Sequence, residues 1–424
     1  MASRSWSIHR RDGPEGALDA RRAVALLAPA TFFQGYDDLV LGFALPLIAA
    51  SFHLSDARAG VAVSLVFLGS FATLILLPFA DRVGRRPVLT LTIVGYTAAT
   101  FATAFSRGLA DLVVCQFVAR VFLGTEYALA TIVLVELLPR ARRGRSLGLV
   151  ASMAALGQAA AGAGFLTVLA LGVSWRWLYL VGIAPLVLVA WARRALPESA
   201  AWEARRSAAR TRPDGRLGWI RIEGLRPRWL VGSVVLTFVF SMFPTAVTTF
   251  ASLLVLTDWH WSLHSLRPWY FLVWAAGLSG FFVAGRLLDT WGRRPATTLF
   301  FAGSFAAGLA AFTATTSAGR VFGLGLVIFF LTGATPCAAI YGTEPFPPEA
   351  RGRIGAAIRA AAIGGAAAAP AIAGLLSGPL GGLGHALAAV GASYLVGATI
   401  ALTVLPETRD LTWAASTGPA PPGA

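Results

Sequence analysis

The feature that most constrains this chain is a succession of apolar runs, each about 18 to 28 residues long, separated by short clusters of charge. At roughly 1.5 Å per residue, a helix of that length crosses ~30 Å of hydrocarbon. Lipid offers no partner to a bare N–H or C=O, so such runs read as helices that satisfy their own backbone. Hydrophobic residues make up 56% of the 424 and charged ones only 13%, a balance no soluble domain of this size needs. The pattern predicts spans near residues 23–50, 57–79, 88–106, 110–138, 147–172 and 177–195, then 229–256, 268–288, 296–316, 320–343, 354–376 and 384–405. The expected fold class is an all-α membrane protein of twelve transmembrane helices in two six-helix halves. Its segments are a tail (1–22), a first half (23–195), a linker (196–228), a second half (229–405) and a tail (406–424).

Charge sets the orientation. All 35 basic residues are Arg. With the N-terminus inside, only Arg58, Arg107, Arg176, Arg267 and Arg320 fall outside, Arg120 lies within a span, and the other 29 sit at or near the inner face. This predicts a multi-pass protein of the cytoplasmic membrane with both termini cytosolic. It also accounts for the net charge of +15 without nucleic acid, since Arg at helix ends faces anionic head groups. Trp175, Trp177, Trp259, Trp261 and Trp269 cluster outside and Trp191, Trp229 and Trp291 inside, as interfacial belts do. Cys115 and Cys337 lie in separate spans with no metal or disulfide spacing. The first 22 residues are polar and Arg-rich, and the run after them is too long for the apolar core of a cleaved signal.

An internal duplication organises the chain. Asp81-Arg-Val-Gly-Arg-Arg-Pro87 recurs as Asp289-Thr-Trp-Gly-Arg-Arg-Pro295, 208 residues later. At the same offset, Glu136-Leu-Leu-Pro-Arg-Ala-Arg-Arg-Gly-Arg145 recurs as Glu344-Pro-Phe-Pro-Pro-Glu-Ala-Arg-Gly-Arg353. Leu196-Pro-Glu-Ser199 recurs as Leu405-Pro-Glu-Thr408, offset by 209. Carriers built as two parallel repeats bind solute near the midplane between halves.

These motifs resemble the major facilitator superfamily over nearly the whole chain. The Asp-x-x-Gly-Arg-Arg-Pro loops are similar to its signature between spans 2 and 3, repeated between spans 8 and 9. The Glu-x-x-Pro-x-x-x-Arg-Gly loops and the Pro-Glu-Ser and Pro-Glu-Thr ends resemble the sugar-porter and metabolite:proton symporter branches. Gly35-Tyr-Asp-Asp-Leu-Val-Leu-Gly-Phe-Ala-Leu-Pro46 and Gly124-Thr-Glu-Tyr127 resemble the aromatic-acid and related symporters. The chain departs from that last group at Gln34, where an Asp is usual, and at Gln116-Phe117, where Arg-Phe is usual and the Arg here comes at Arg120. It departs again at Ile363, seven residues before Pro370, so an aromatic carboxylate substrate does not carry over. The resemblance implies proton-coupled uptake of a small organic solute by alternating access, by a monomer in the lipid bilayer. A proton-driven exporter of a drug or metabolite and an uncoupled facilitator are the alternatives. The stretch from Gly157 to Gly172 has no Pro, unlike the Gly-Pro signature of drug:proton antiporters. No nucleophile, metal or phosphate-binding constellation appears, so the chain is read as no enzyme, with no cofactor and no metal.

The duplication also sorts the charges. Asp81, Arg85, Arg86, Glu136 and Arg143 have partners in Asp289, Arg293, Arg294, Glu344 and Arg351, so whatever they do is done at both inner helix ends. They are the candidate gate, in which Asp can accept from a helix N-terminus while Arg pairs with carboxylates. Asp37, Asp38, Arg120 and Glu126 map instead onto Thr245, Ala246, Ile328 and Ala334, so the fold does not require them. A charge at bilayer depth costs at least ~2.5 to 3.5 kcal/mol on insertion scales, which makes these four the candidate proton and substrate site. Asp37 and Asp38 point about 100° apart, so one is expected to face Glu126 or Arg120. Arg120 is expected either as counter-charge to Asp37 or Glu126 or as a structural pair to Glu126. Gln34, Gln116, Thr245, Trp274 and Tyr341 are further candidates for the substrate cavity.

Overall fold

The structure, a computed structural model, describes residues 14–137, 143–181, 183, 187, 226–347 and 350–409. Among these residues the regular elements are all helices, and eleven spans are long and apolar enough to cross a membrane. The protein is a multi-pass membrane protein.

Its elements run α1 (Pro14–Phe52), α2 (Asp56–Leu68), a 3-10 turn (Gly69–Ala72), α3 (Thr73–Val83), α4 (Arg85–Ala104), α5 (Leu109–Leu137), α6 (Arg143–Leu171) and α7 (Arg176–Leu180). After the linker come α8 (Pro227–Thr257), α9 (Leu263–Thr290), α10 (Arg293–Thr313), α11 (Ser317–Tyr341), α12 (Arg351–Ser377), α13 (Leu383–Gly391) and α14 (Ser393–Thr403). Elements α2 and α3 with the turn between them form one span, Asp56–Val83, and α13 with α14 form another, Leu383–Thr403. The sixth expected span, 177–195, is represented by α7; most of the rest of it, and the linker up to 225, lie outside the described residues. The first span is the apolar part of a longer helix that begins at Pro14, a position where a missing N–H is harmless.

Two compact units emerge, one of residues 1–44 and 69–217, the other of 45–68 and 218–424. The duplication places a single boundary in the linker, yet residues 45–68 pack with the second unit. The cause is a close approach between α2 and α12: a Cβ on Gly60 would lie 2.2 Å from the Pro370 carbonyl oxygen. Nearby, the Ala371 N–H donates to Ser64 Oγ at 2.8 Å.

The repeat is visible as geometry within each unit. Gly84 and Gly292 open α4 and α10 at φ 123° and 110°, a region where a Cβ would clash. One turn on, Arg85 pairs with Asp81 at 3.3 Å and Arg293 with Asp289 at 3.2 Å. Phe122 of α5 packs so tightly on Gly95 of α4 that a Cβ there would lie 2.4 Å from the ring, and Phe330 of α11 does the same to Gly303 of α10, also at 2.4 Å. In the first unit, Ile93, Tyr96, Ala99, Ala119 and Leu123 form the core between α4 and α5. In the second, Phe243, Phe301 and Tyr394 are fully buried, and the Tyr394 hydroxyl donates to the Phe240 carbonyl at 2.9 Å.

Candidate functional site

The polar cluster of the first unit begins with a helix crossing. Gly35 of α1 lies against the Ala154 backbone of α6, and Gly157 of α6 against Phe32 of α1, so closely that a Cβ would meet a carbonyl oxygen at 2.0 and 1.8 Å. The Tyr36 hydroxyl donates to the Leu178 carbonyl at 2.7 Å and ties α1 to α7. Between these anchors α1 presents Gln34, Asp37 and Asp38, with Asp38 against Arg120 of α5.

Arg120 Nη1 lies 2.8 Å from Asp38 Oδ1, with the two side chains 12% and 34% exposed. Gln34 Nε2 donates to the other oxygen, Asp38 Oδ2, at 3.3 Å. Glu126 is 3% exposed and accepts a hydrogen bond from the Thr92 hydroxyl of α4. Thr92 Oγ1 is also 3.0 Å from the Leu89 carbonyl. Three buried atoms in this cluster carry no hydrogen bond among the described residues: Gln34 Oε1, Asp37 Oδ2 and the Tyr179 hydroxyl. Tyr179, on α7 and 1% exposed, is within electrostatic range of Asp37, Tyr36 and Arg120.

The four intramembrane charges thus lie within one unit. Arg120 takes Asp38 as a direct partner, in line with the expectation that one of the two adjacent Asp residues faces it or Glu126. Glu126 accepts from Thr92, which the sequence did not single out. Asp37 and Asp38 diverge as adjacent helical residues must, Asp38 toward Arg120 and Asp37 into the packed interior.

Other candidates fall elsewhere. Gln116 is buried and donates to Thr103 Oγ1 at 2.9 Å, a bond internal to the α4–α5 packing. In the second unit Thr245 is half-buried on α8, and its carbonyl accepts from the Thr248 hydroxyl at 3.3 Å. Tyr341 is fully buried, its hydroxyl donating to the Pro406 carbonyl at 3.3 Å. The side chain of Trp274 lies outside the described residues, as do those of Glu136 and Arg143.

The gate candidates of the second unit form a network of their own. Arg293 bridges Asp289 and Glu344, reaching Glu344 Oε1 at 3.3 Å. Glu344 also accepts from the Thr408 hydroxyl. Arg294 reaches the carbonyls of Ala401 and Leu402, and Arg351 Nε that of Phe346 at 3.1 Å. In the first unit Asp81 pairs with Arg85, which is 3% exposed, while Arg86 is exposed. Glu407 accepts from the backbone N–H groups of Arg293 at 2.9 Å and Arg294 at 3.0 Å, at the start of α10. Burial pushes its carboxyl up, but the N–H donors of Arg293, Arg294, Arg409 and Thr408 outweigh this and hold it below the usual carboxylate range.

A family model described as Major Facilitator Superfamily matches residues 27–358. The chain belongs to this superfamily. A putative metabolite transport protein of Haemophilus influenzae is 29% identical over 281 residues, 64% of this chain and 68% of that one. A gallate transporter of Pseudomonas putida is 32% identical over 42% of this chain and 39% of its own length, so that match spans well under half of the relative. The xylose transporter XylE from E. coli, in an inward-open conformation, superposes with a TM-score of 0.74 at 17% identity, covering 93% of this chain and 98% of that one. The chain is therefore a major facilitator transporter and not an enzyme.

Proposed function

We propose that this protein couples inward movement of protons to uptake of a small organic solute across the cytoplasmic membrane, working as a monomer with both termini cytosolic. The observation that carries the reading is the buried Oδ2 of Asp37, which has no hydrogen bond among the described residues, beside the Arg120–Asp38 ion pair, in a position where the other repeat has Thr245. An unpaired charge crosses a dry site only at high cost, so Asp37 passes the occluded state as the neutral, protonated acid. When the carrier reopens, a change in the distance to Arg120 favours the ionised form and releases the proton. The resemblance to metabolite:proton symporters points the same way. The duplicated Asp81 and Asp289 loops, each with its own Asp–Arg pair, are the proposed conformational gate at the inner end.

Purified protein in liposomes, with internal pH recorded while a solute panel is added outside, tests the reading. A transported solute should acidify the lumen, and an imposed inward proton gradient should drive its accumulation. Asp37→Asn mimics the neutral acid permanently, so accumulation should fall to the level of empty liposomes while solute exchange without a gradient is largely kept. Full gradient-driven accumulation by Asp37→Asn would remove Asp37 as the proton carrier.

A further inference from the structure

Arg120 is the group in this cluster that an anionic solute would seek, and it is already engaged. We propose that Asp38 sets the charge of the solute: its carboxylate occupies Arg120 as an internal ligand, so the carrier takes molecules without net negative charge, held through their O–H and N–H donors. The inference rests on the reading that this cluster meets the solute, but not on proton coupling.

Both oxygens of Asp38 are used, Oδ1 by Arg120 Nη1 at 2.8 Å and Oδ2 by Gln34 Nε2 at 3.3 Å. A carboxylate on a guanidinium is among the stronger pairings available to either group. The Gln34 amide is oriented by the same contact, since the reversed amide would set its oxygen against the Asp38 carboxylate. Its Oε1 is consequently left without a donor, as is Asp37 Oδ2, and the Tyr179 hydroxyl is a third buried polar atom of this cluster without a hydrogen bond. A carboxylate group brings only acceptors, so of these three atoms it could satisfy the Tyr179 hydroxyl but neither Gln34 Oε1 nor an ionised Asp37. A hydroxyl or an N–H can serve all three. Charge leads to the same choice: Asp38 pairs with Arg120 and Asp37 lies within its electrostatic range, so two carboxyl groups already share one guanidinium and an anionic solute would add a third negative group. Asp38 has no acidic counterpart in the second repeat, where the position is Ala246, so the fold itself does not call for it. In this respect the chain parts from its gallate-transporting relative, whose substrate carries a carboxylate.

The test is exchange across liposomes holding the full-length protein, with no pH gradient, using two panels of labelled probes. The uncharged panel is myo-inositol, D-xylose and D-glucose; the anionic panel is gallate, 4-hydroxybenzoate and benzoate. The wild type should exchange at least one uncharged probe about tenfold faster than empty liposomes and no carboxylate above them. Asp38→Asn should raise exchange of a carboxylate by about tenfold, while Asp38→Glu should retain the wild-type preference. Gln34→Ala and Tyr179→Phe should each slow exchange of the uncharged probe several-fold. Carboxylate exchange by the wild type, no exchange of any uncharged probe, or a folded Asp38→Asn with unchanged preference would each overturn the proposal, as would unaltered exchange in both Gln34→Ala and Tyr179→Phe. If Asp38→Asn does not fold, the wild-type panels decide. Loss of gradient-driven accumulation with exchange intact would sink proton coupling and leave this assignment standing.

Discussion

Glu126 shows how a single side chain divides between stability and function. Its carboxyl is 3% exposed on α5 and is reached by the Thr92 hydroxyl of α4. The second repeat places Phe300 and Ala334 at these two positions, and Phe300 is fully buried there, so an apolar pair fills the same space without difficulty. Thr92→Val removes the donor but keeps the shape, and should destabilise the protein by about 1–3 kcal/mol, the cost of weakening the satisfaction of a buried polar group. Thr92→Ser should retain most of it, and the double change Thr92→Val with Glu126→Leu should recover stability while exchange is lost. Thermal unfolding in detergent, paired with liposome exchange, checks all three; a Thr92→Val protein as stable as the wild type would show that the bond carries no weight. The acidic residues of this site were legible in the sequence because charge inside an apolar run is conspicuous. Thr92 and Tyr179 were not, because Thr and Tyr are ordinary in membrane helices and only the packing shows which of them faces a carboxyl.

At the scale of elements, the start of α10 shows a cap supplied from far along the chain. Glu407 accepts from the N–H groups of Arg293 and Arg294, and the Arg409 guanidinium donates to the Thr290 carbonyl at 3.0 Å. A carboxylate at a helix N-terminus satisfies otherwise bare donors and opposes the positive end of the helix dipole. Glu407→Ala should therefore cost roughly 1 kcal/mol. Because the folded protein holds this carboxyl below its unfolded value, its stabilisation is complete above the usual Glu range of about 4.3 and is lost as pH falls through the folded value. Melting of wild type and Glu407→Gln should accordingly differ at neutral pH and converge in acid; a gap constant from pH 7 to 3 would assign the difference to something other than this carboxylate. The Pro-Glu-Thr motif was visible in the sequence through its repetition. That it caps a helix more than a hundred residues earlier was not, since no local pattern links Glu407 to Gly292.

For the molecule as a whole, the duplication and the Arg distribution together fix the number of spans more firmly than hydropathy does. The described residues hold eleven candidate spans, while the sequence predicts twelve, the missing one being 177–195, most of which lies outside the described residues. The two Asp-x-x-Gly-Arg-Arg-Pro loops have the same backbone, with Gly84 and Gly292 both at positive φ and the same Asp–Arg pairing. Both are also net cationic, which the membrane potential and anionic lipid favour on the cytosolic face. Loops on one face must be separated by an even number of crossings. Between them lie α4, α5, α6, α8 and α9 as candidate spans among the described residues, which is five, so loops on one face call for a sixth crossing, which the sequence predicts at 177–195. The expected outcome is that a tag inserted at Gly215 and another at the C-terminus are both reached only after the membrane is opened, as is one at the N-terminus. With eleven crossings the Gly215 tag and the C-terminal tag would instead be reached from outside the intact cell. Labelling of either from outside would therefore remove the sixth span, the shared orientation of the repeats and the cytosolic placement of the Arg-rich loops after it, all in one measurement.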